Sequence, residues 1–320
     1  MKTILAIGVP FVTILFMVAV GMELEEQHFR EVVRRKWTFM LTLAGQVIVL
    51  PTLAFVLTRV MTLPPYVNAG ILLLAACPVG DIANFYTLLA RGNMALSVSL
   101  NTLSCLLSIL TMTVVFNAYG HLLVEHFVFE VPTPTLVLRL TLMVVLPVLA
   151  GMLIRRFKPA FVERHMKHLR NGSITGVVFL IVCVSLTQRE LLMTEWQRTA
   201  VVSALFIGLA LLIGFAFGRI LRLKVGDSVT LGIVFSVRNV ALAVAIAVTL
   251  LSRTEFAVFA VVYFLTEVPL LLSLVAVYRR WWGERKMVPR GHDDITVEAQ
   301  SPSHVDARNE GIDDDAYSTR

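Results

Sequence analysis

Apolar residues fall into nine long runs separated by short polar stretches. A helix needs about 20 mainly apolar residues to cross the hydrocarbon core of a membrane, so the pattern predicts nine membrane-spanning helices. The first run also resembles the core of a signal peptide, but no small-residue cleavage site follows it, and we interpret it as a retained span. The runs cover residues 3–22, 38–58, 66–90, 94–118, 134–154, 172–188, 199–218, 227–251 and 255–278.

The composition indicates an integral membrane protein rather than a water-soluble domain. Of the 320 residues, 57% are hydrophobic and 16% are charged, and the mean hydropathy is +0.78. A soluble domain of this length would not carry so much apolar surface. The net charge of +6 comes from residues between the apolar runs. We attribute it to orientation in the membrane and predict no nucleic-acid binding.

Basic residues follow the odd-numbered runs, in clusters such as 34–36, 155–158, 219–224 and 279–286. By the positive-inside rule, nine spans with the N-terminus outside and the C-terminus in the cytoplasm place these clusters on one side of the cell membrane. The predicted transmembrane domain is therefore 1–280. Residues 281–320 are too polar to form a core, and we predict a disordered cytoplasmic tail. The amphipathic stretch 121–130 is predicted to lie along the outer interface.

Four of the runs contain polar residues of kinds that are rare inside membrane spans. A charged side chain at the centre of the bilayer costs roughly 2.5–3.5 kcal/mol on insertion scales, and such residues usually mark a functional site inside the protein. The candidates are Pro78, Gly80, Asp81 and Asn84 in the third run, Ser97 and Asn101 in the fourth, Arg238 and Asn239 in the eighth, and Glu267 in the ninth.

Pro78 and Gly80 interrupt an otherwise apolar run and predict a broken helix. Unwound backbone at membrane depth is tolerated only where protein or an internal cavity surrounds it, and many secondary transporters bind ions and substrates at such breaks. The alternative is a proline kink packed against a neighbour. Ser97 and Asn101 have an alternative as inter-helix hydrogen-bonding residues, and Glu267 as a protonated carboxyl group without function.

Three stretches resemble the bile acid:sodium symporter family. The most specific is CPVGDIANFYTLLARGNMALSVSLNTLS at 77–104, which contains Asn84 and the segments LARG and ALSV. MVAVGMELEEQHFREVVRRKW at 17–37 is similar to the family's glycine-methionine signature and the turn after it. GIVFSVRNVALA at 232–243 is similar to the family's second crossover segment. The resemblance extends over residues 3–280.

The resemblance implies a fold of two inverted five-helix repeats, arranged as a core domain and a panel domain, in which two broken helices cross. This chain would have one helix fewer at its start, like nine-span members of the family, and its third and eighth spans would cross. Family members carry organic anions such as bile acids or pantoate-like acids together with sodium. We therefore expect a small organic anion and membrane lipid as partners, with no cofactor and no known protein partner.

The second crossover segment departs from the family's pattern at two sodium-binding positions. Where the family has a glutamate and a glutamine, this chain has Val234 and Arg238. Asn84, Ser97 and Asn101 remain as a remnant of the first sodium site. Hard cations bind oxygen ligands, usually with negative charge among them, whereas a guanidinium offers only hydrogen-bond donors. The departures therefore predict that transport does not follow the usual two-sodium scheme.

Arg238 has three interpretations. It could replace a sodium ion as a fixed charge, paired with Asp81 or Glu267, because charged groups inside membranes rarely go unpaired. It could hold a substrate carboxylate through bidentate hydrogen bonds. It could instead form a purely structural ion pair. Asp81 or Glu267 could also bind and release a proton, which would couple transport to protons.

The sequence thus predicts a secondary active transporter that moves a small or amphipathic organic anion by alternating access. Asp81, Asn84, Arg238, Asn239 and Glu267 are the predicted substrate-binding or coupling residues. The alternative is a transport-inactive membrane sensor or scaffold that binds an organic acid. An enzyme is not predicted, because no catalytic carboxylate pair, metal-ligand spacing or nucleophile–base motif is recognisable.

Overall fold

The structure is a computed structural model that describes residues 2–23, 32–123 and 133–286. Every named element in these ranges is helical, which confirms the prediction of an all-α protein. The helices are α1 (Lys2–Met22), α2 (Lys36–Val60), α3 (Pro65–Ala76), α4 (Ile82–Leu89), α5 (Met94–Leu106), α6 (Ser108–Leu123), α7 (Thr133–Leu140), α8 (Leu146–Phe157), α9 (Pro159–Thr187), α10 (Arg189–Ile220), α11 (Val225–Ser236), α12 (Val240–Ala245) and α13 (Ala257–Lys286). A π-helical turn at Thr141–Val145 joins α7 to α8, another at Ile246–Leu250 extends α12, and a 3-10 turn at Thr254–Phe256 precedes α13.

Each apolar run falls on one helix or on consecutive helices. By length and composition, four helical segments could each cross a membrane, and the α5–α6 pair, bent by 63°, would be a fifth. The remaining apolar helices are shorter, and the number of nine crossings and their orientation stay predictions. Helix α13 continues to Lys286, and the rest of the predicted tail lies outside the described residues. So does most of the amphipathic stretch, residues 124–130.

The helices pack into two groups within the compact unit Met1–Trp281. Helix α1 lies against α8 and α9, while α2 to α6 pack with α10 to α12 around the broken helices. Small residues allow helices in membranes to approach closely. A Cβ atom on Gly21 would lie 2.1 Å from the Val148 carbonyl oxygen, so only glycine lets α1 and α8 meet as they do. The two groups agree with the panel and core that the family resemblance implies.

Two helices are interrupted midway, one between α3 and α4 and one between α11 and α12. The first break begins at Cys77, whose extended backbone (φ −63°, ψ 151°) follows from the proline after it, because a residue before proline is driven out of the helical region. The second break begins at Val237 (φ −99°, ψ 118°). It ends where the Asn239 side chain accepts a hydrogen bond from the Leu242 amide at 3.0 Å and caps α12.

Candidate functional site

The two breaks cross and pair through their backbones. The Gly80 amide donates a hydrogen bond to the Val237 carbonyl oxygen at 3.3 Å, and the Asn239 amide donates one to the Pro78 carbonyl oxygen at 3.0 Å. Val79 and Arg238 form an isolated antiparallel bridge. Backbone groups freed by unwinding are therefore satisfied by the opposite break, as the interior of a membrane protein requires.

The closeness of the crossing depends on Gly80. A Cβ atom at this position would lie 2.7 Å from the Arg238 carbonyl oxygen and 3.0 Å from its carbonyl carbon. Both neighbours are backbone atoms, which cannot turn aside as the end of a flexible side chain can. Gly80 is therefore required for close approach of the two breaks.

The predicted residues of the third and fourth runs come together in one hydrogen-bonded cluster, which we call the Asp81 cluster (Asp81, Asn84, Thr87, Ser97 and Asn101). The Asp81 Oδ1 atom accepts hydrogen bonds from the side-chain amides of Asn84 at 3.2 Å and Asn101 at 3.1 Å. The Ser97 hydroxyl donates to Asn84 Oδ1 at 2.8 Å, and the Thr87 hydroxyl donates to Ser97 Oγ at 3.2 Å. The cluster joins α4 to α5 and stabilises the first break.

The Asp81 cluster contains the three residues predicted as a remnant of the first sodium site. The position of the family's glutamate holds Val234 in this chain, and Asp81 supplies a different carboxylate beside the remnant. The surrounding oxygens are nevertheless engaged, since Asn84 Oδ1 accepts from Ser97 and Asn101 Oδ1 accepts from the Cys105 thiol at 3.7 Å. The two amides present N–H groups to Asp81, whereas a cation would need their oxygens. In this arrangement the cluster is a hydrogen-bond network rather than a set of oxygen ligands directed at one point.

Arg238 lies at the centre of the crossing and is 4% exposed. Its Nη2 group donates a hydrogen bond to the Cys77 carbonyl oxygen. Its Nε and Nη1 groups have no hydrogen-bond partner among the described residues. Within the described residues Arg238 forms no ion pair with Asp81 or Glu267. Asp81 Oδ1 accepts hydrogen bonds from the two asparagine amides, and Glu267 on α13 has no hydrogen-bond partner there. A buried guanidinium with unused donors is costly unless an anion reaches it.

Other polar groups of the second break and of α13 also have hydrogen-bonding atoms without a partner in the described ranges. The Asn239 Nδ2 group has no partner among the described residues. Glu267 is 0% exposed, and both of its carboxyl oxygens lack a partner there as well. One helical turn earlier on α13, the Tyr263 hydroxyl donates to the Ser236 carbonyl oxygen. That bond fixes α13 against the end of α11, close to Arg238.

A cavity of about 680 Å³ lies beside the crossing, between the helix group of α1 and α9 and the two breaks with α13. On its other side Arg238 borders a void of about 10 Å³, which has room for at most one water molecule. Of these two spaces, the large cavity is the one with room for a larger ligand to reach the crossing. Its polar lining residues are Asp81, Glu163, Asn171, Arg238, Asn239 and Glu267.

Several residues of this region were not predicted from the sequence. Tyr86 on α4 and Tyr263 on α13 are fully buried, and the Tyr86 hydroxyl has no partner among the described residues. Helix α9 contributes cavity wall through residues such as Val178. A tyrosine in an apolar run is a weak signal, because its ring suits lipid, core and interface alike. Which helix faces the cavity depends on contacts between distant parts of the chain.

A second polar cluster, also missed, joins the starts of α5 and α11. The Asp227 carboxylate accepts hydrogen bonds from Arg35 at 2.7 Å and from the Asn93 side chain at 2.8 Å. The backbone N–H of Asn93 donates to the Thr230 hydroxyl oxygen at 2.8 Å. The Asn93 side chain also caps α5. An aspartate at the start of an apolar run was the available signal, since carboxylates are favoured at helix N-termini. This cluster is structural and lies away from the cavity lining.

Comparison with known proteins agrees with this architecture. The sequence model described as the sodium bile acid symporter family matches residues 10–195, more than half of the chain. The chain belongs to this family. Its members are transporters and integral membrane proteins, so the protein is a multi-pass membrane protein of a transporter family, which agrees with the expectation that it is not an enzyme.

Individual relatives are similar over part of their length. An uncharacterized sodium-dependent transporter, YocS, of Bacillus subtilis (strain 168) is 28% identical over 73% of this chain and 71% of its own. The probable sodium/metabolite cotransporter BASS1, chloroplastic, of Arabidopsis thaliana is 30% identical over 62% of this chain and 48% of its own. The ileal sodium/bile acid cotransporter of Oryctolagus cuniculus is 27% identical over 64% and 59%. This chain thus spans about half the length of the latter two relatives.

Proposed function

We propose that this protein is a secondary active transporter that moves a small or amphipathic organic anion by alternating access, without a requirement for sodium. The observation that carries the proposal is the buried Arg238, which keeps two hydrogen-bond donors unused beside a large cavity. Guanidinium groups bind carboxylates and other oxyanions through paired hydrogen bonds, and buried charges are rarely left without a counter-charge. An anion in the cavity would supply that counter-charge.

The cavity has the size and walls for an organic substrate. Pockets for small molecules usually measure about 300–1,000 Å³ and combine apolar walls with a few polar groups. Apolar side chains that line this cavity include Phe16, Phe85, Val178 and Phe264. These walls suit the hydrocarbon part of an amphipathic anion, while Arg238 suits its charged group. The name of the ileal relative, which contains bile acid, makes a bile acid a reasonable first probe.

Sodium independence follows from the bonding in the Asp81 cluster. Its carboxylate is surrounded by amide N–H groups, and a cation would require Asn84 and Asn101 to turn their amides over. At the second break the charge of Arg238 already stands where the family resemblance implies a sodium ion. Fixed positive charge and a bound cation would repel each other in a poorly screened interior.

Orientation is part of the same proposal. By the positive-inside rule, the basic residues of 155–170 favour a cytoplasmic location for the start of α9. Glu163, in the first turns of α9, lines the cavity. We therefore expect the substrate to reach the cavity from the cytoplasm in this conformation. A cysteine at position 160 should react with a membrane-impermeant thiol reagent from the cytoplasmic side alone.

Flux through purified protein tests the proposal. The full chain is placed in proteoliposomes, and uptake of radiolabelled taurocholate and of pantoate is measured in sodium buffer and after replacement by potassium or choline. Saturable uptake that is unchanged by the replacement is expected. A steep, saturable dependence on sodium would overturn the sodium-independent part. Thermal stabilisation by either anion without any flux would favour the sensor or scaffold instead.

A further inference from the structure

Glu267 is a buried carboxyl group that faces the same cavity as Arg238. It is fully shielded from solvent, and neither of its oxygens has a hydrogen-bond partner in the described ranges of the chain. An ionised carboxylate in such surroundings needs a paired cation or several donors. None is in place here, so the charge of an ionised Glu267 would be uncompensated in this arrangement.

The groups that surround Glu267 come from several elements. Tyr86 and Tyr263 lie within electrostatic range of it, and Tyr263 lies within electrostatic range of Arg238 as well. The Tyr263 hydroxyl bond to the Ser236 carbonyl oxygen joins α13 to the second break. The titratable and charged groups facing Glu267 directly or across the cavity are Tyr86, Tyr263, Arg238, Asp81 and Glu163.

The carboxylate of Asp81 is already hydrogen-bonded and that of Glu163 is exposed to solvent, whereas the Arg238 guanidinium has unused donors. Asp81 is held by the Asn84 and Asn101 amides, and Glu163 is an exposed residue in the first turns of α9. Arg238 is the buried cation of the set, with two donors unused within the described chain. Glu267 lines the same cavity as Arg238, and Tyr263 lies within electrostatic range of both.

We propose that Glu267 binds a proton when an organic anion occupies Arg238 and releases that proton when the anion leaves, so that each anion is carried with one proton. The inference rests on the transport function proposed above. It requires no ion other than the proton and no residue beyond those that line the cavity.

The coupling between anion and proton binding follows from the charges of Arg238 and Glu267 in the loaded and empty forms of the transporter. With the anion bound, the substrate neutralises Arg238, and Glu267 stays neutral with its O–H bond intact. After the anion leaves, that O–H bond breaks, the proton passes to water in the cavity, and the electron pair stays on the carboxylate. Its negative charge then balances that of Arg238 once the two side chains approach across the cavity. Anion and proton thus favour each other's binding by the same factor. For a singly charged anion the loaded and empty forms carry equal charge, so transport is electroneutral.

The decisive experiment uses the full chain in proteoliposomes with an imposed pH gradient, acidic outside. Taurocholate is the first probe because its sulfonate stays ionised and does not cross lipid as a neutral acid, and pantoate is the second. One-to-one coupling predicts about tenfold accumulation for each pH unit of gradient. Protein-free liposomes correct for passive entry. Glu267→Gln mimics the protonated residue, and Glu195→Gln is the matched control, a partly buried glutamate outside the cavity lining with one unpartnered oxygen.

Loss of accumulation in Glu267→Gln, with exchange of labelled for unlabelled probe retained, is the expected result, while Glu195→Gln accumulates as the unaltered protein does. A purely structural glutamate would not separate accumulation from exchange. Accumulation by Glu267→Gln equal to that of the unaltered protein would overturn the inference and leave the transport proposal standing. Absence of both binding and exchange for both probes would instead remove the transport proposal and this inference with it.

Calorimetry on the unaltered protein keeps the inference testable if Glu267→Gln does not fold. Binding of taurocholate is measured in buffers of different ionisation enthalpy, which reports the protons taken up with each bound anion. Uptake approaching one proton per anion is expected at a pH where Glu267 is ionised in the free protein. Binding with no proton uptake at any pH between 5.5 and 9, about the range in which buried carboxyl groups titrate, contradicts the proposal.

Discussion

The first break and the second break pair through the same short stretch of backbone, but their side chains are bonded very differently. At the first break, Asp81 accepts two amide hydrogen bonds and the hydroxyls of Thr87 and Ser97 complete a chain of contacts. At the second break, Arg238 uses one donor group, and Asn239 leaves its Nδ2 group without a partner among the described residues.

Buried polar groups in proteins are nearly always hydrogen-bonded, and each exception calls for a reason. Exceptions occur in several parts of the described chain, Tyr86 among them, but within the two breaks they fall on Arg238 and Asn239, and Glu267 on α13 adds another beside the cavity. The polar side chains of the first break form a connected network. A connected network fixes the conformation of an unwound segment. Unused donors beside a cavity instead offer binding energy to a ligand. Under the proposed function, the first break would mainly hold the crossing in shape and the second would mainly bind the anion.

The strongest test of this comparison is removal of the charge at the second break. Arg238→Gln should lower the transport efficiency for taurocholate by about 100-fold or more, because hydrogen bonds to charged groups are each worth roughly 1.5–3 kcal/mol. Arg238→Lys keeps the charge but loses the planar pair of donors, and should recover only part of the activity. Initial uptake rates in proteoliposomes, normalised to reconstituted protein, give both numbers.

The matched control is Arg59→Gln, since the Arg59 guanidinium lies over the Phe55 ring, with 5.2 Å from Cζ to the ring centroid, away from the crossing. Its uptake should equal that of the unaltered protein. The melting temperature of Arg238→Gln should not fall greatly, because the change removes a buried cation that has few partners. Full uptake by Arg238→Gln would show that the second break does not bind the anion.

The next largest effect is expected from Gly80→Ala, which acts on the geometry that both breaks share. The added Cβ atom would lie 2.7 Å from the Arg238 carbonyl oxygen, and crowding of this kind typically costs about 1–3 kcal/mol. Gly208→Ala is the control, because nothing lies within 4 Å of a Cβ atom there, and helix propensity should favour it by about 0.5–1 kcal/mol. Unfolding of the two variants in detergent measures the difference. Equal stability of Gly80→Ala and Gly208→Ala would mean that the two breaks can move apart without loss of stability.

The two breaks also differ in how far the sequence predicts them. The first is predicted by local physics, since Pro78 and Gly80 close together in an apolar run favour an interruption of the helix. Proline alone does not suffice, because α1, α2 and α13 continue through Pro10, Pro51 and Pro269. The second contains neither a proline nor a glycine, and only the family resemblance predicted it. Asn239 as a helix cap was the local signal, but asparagine has many other roles. Apolar periodicity predicts helices well because burial in lipid leaves the chain few other choices.

The side-chain partners were harder to predict than the helices. A pair of Arg238 with Asp81, one of the alternatives left open by the sequence, is not formed in the structure, where Asp81 belongs to a cluster with Asn84 and Asn101. Charge and sequence proximity to a break favour such a pair, but the choice among acceptors depends on distances of a few ångströms after packing. The buried Tyr263 bond to the Ser236 carbonyl oxygen depends on packing in the same way. Such contacts become visible only in three dimensions.

The smallest effect is a coupling energy that should be close to zero. In a double-mutant cycle, Asp81→Asn combined with Arg238→Gln should give additive changes in unfolding free energy, within about 0.5 kcal/mol, because the two side chains share no bond. The matched cycle joins Asp81→Asn with Asn101→Ala. It should give a coupling of about 1–3 kcal/mol. Either single change already disrupts the hydrogen bond from the Asn101 side-chain amide to the Asp81 carboxylate, so the double variant loses that bond only once.

Both cycles are measured by unfolding in the same detergent and at the same pH, so that any general effect of Asp81→Asn cancels. Strong coupling in the first cycle and none in the second would assign Asp81 to Arg238 and reverse the comparison between the two breaks. A result near zero in both would mean that the Asp81 cluster contributes little energy and that the backbone pairing alone stabilises the crossing. The expected pattern, coupling confined to the first break, leaves Arg238 available to the anion and to Glu267.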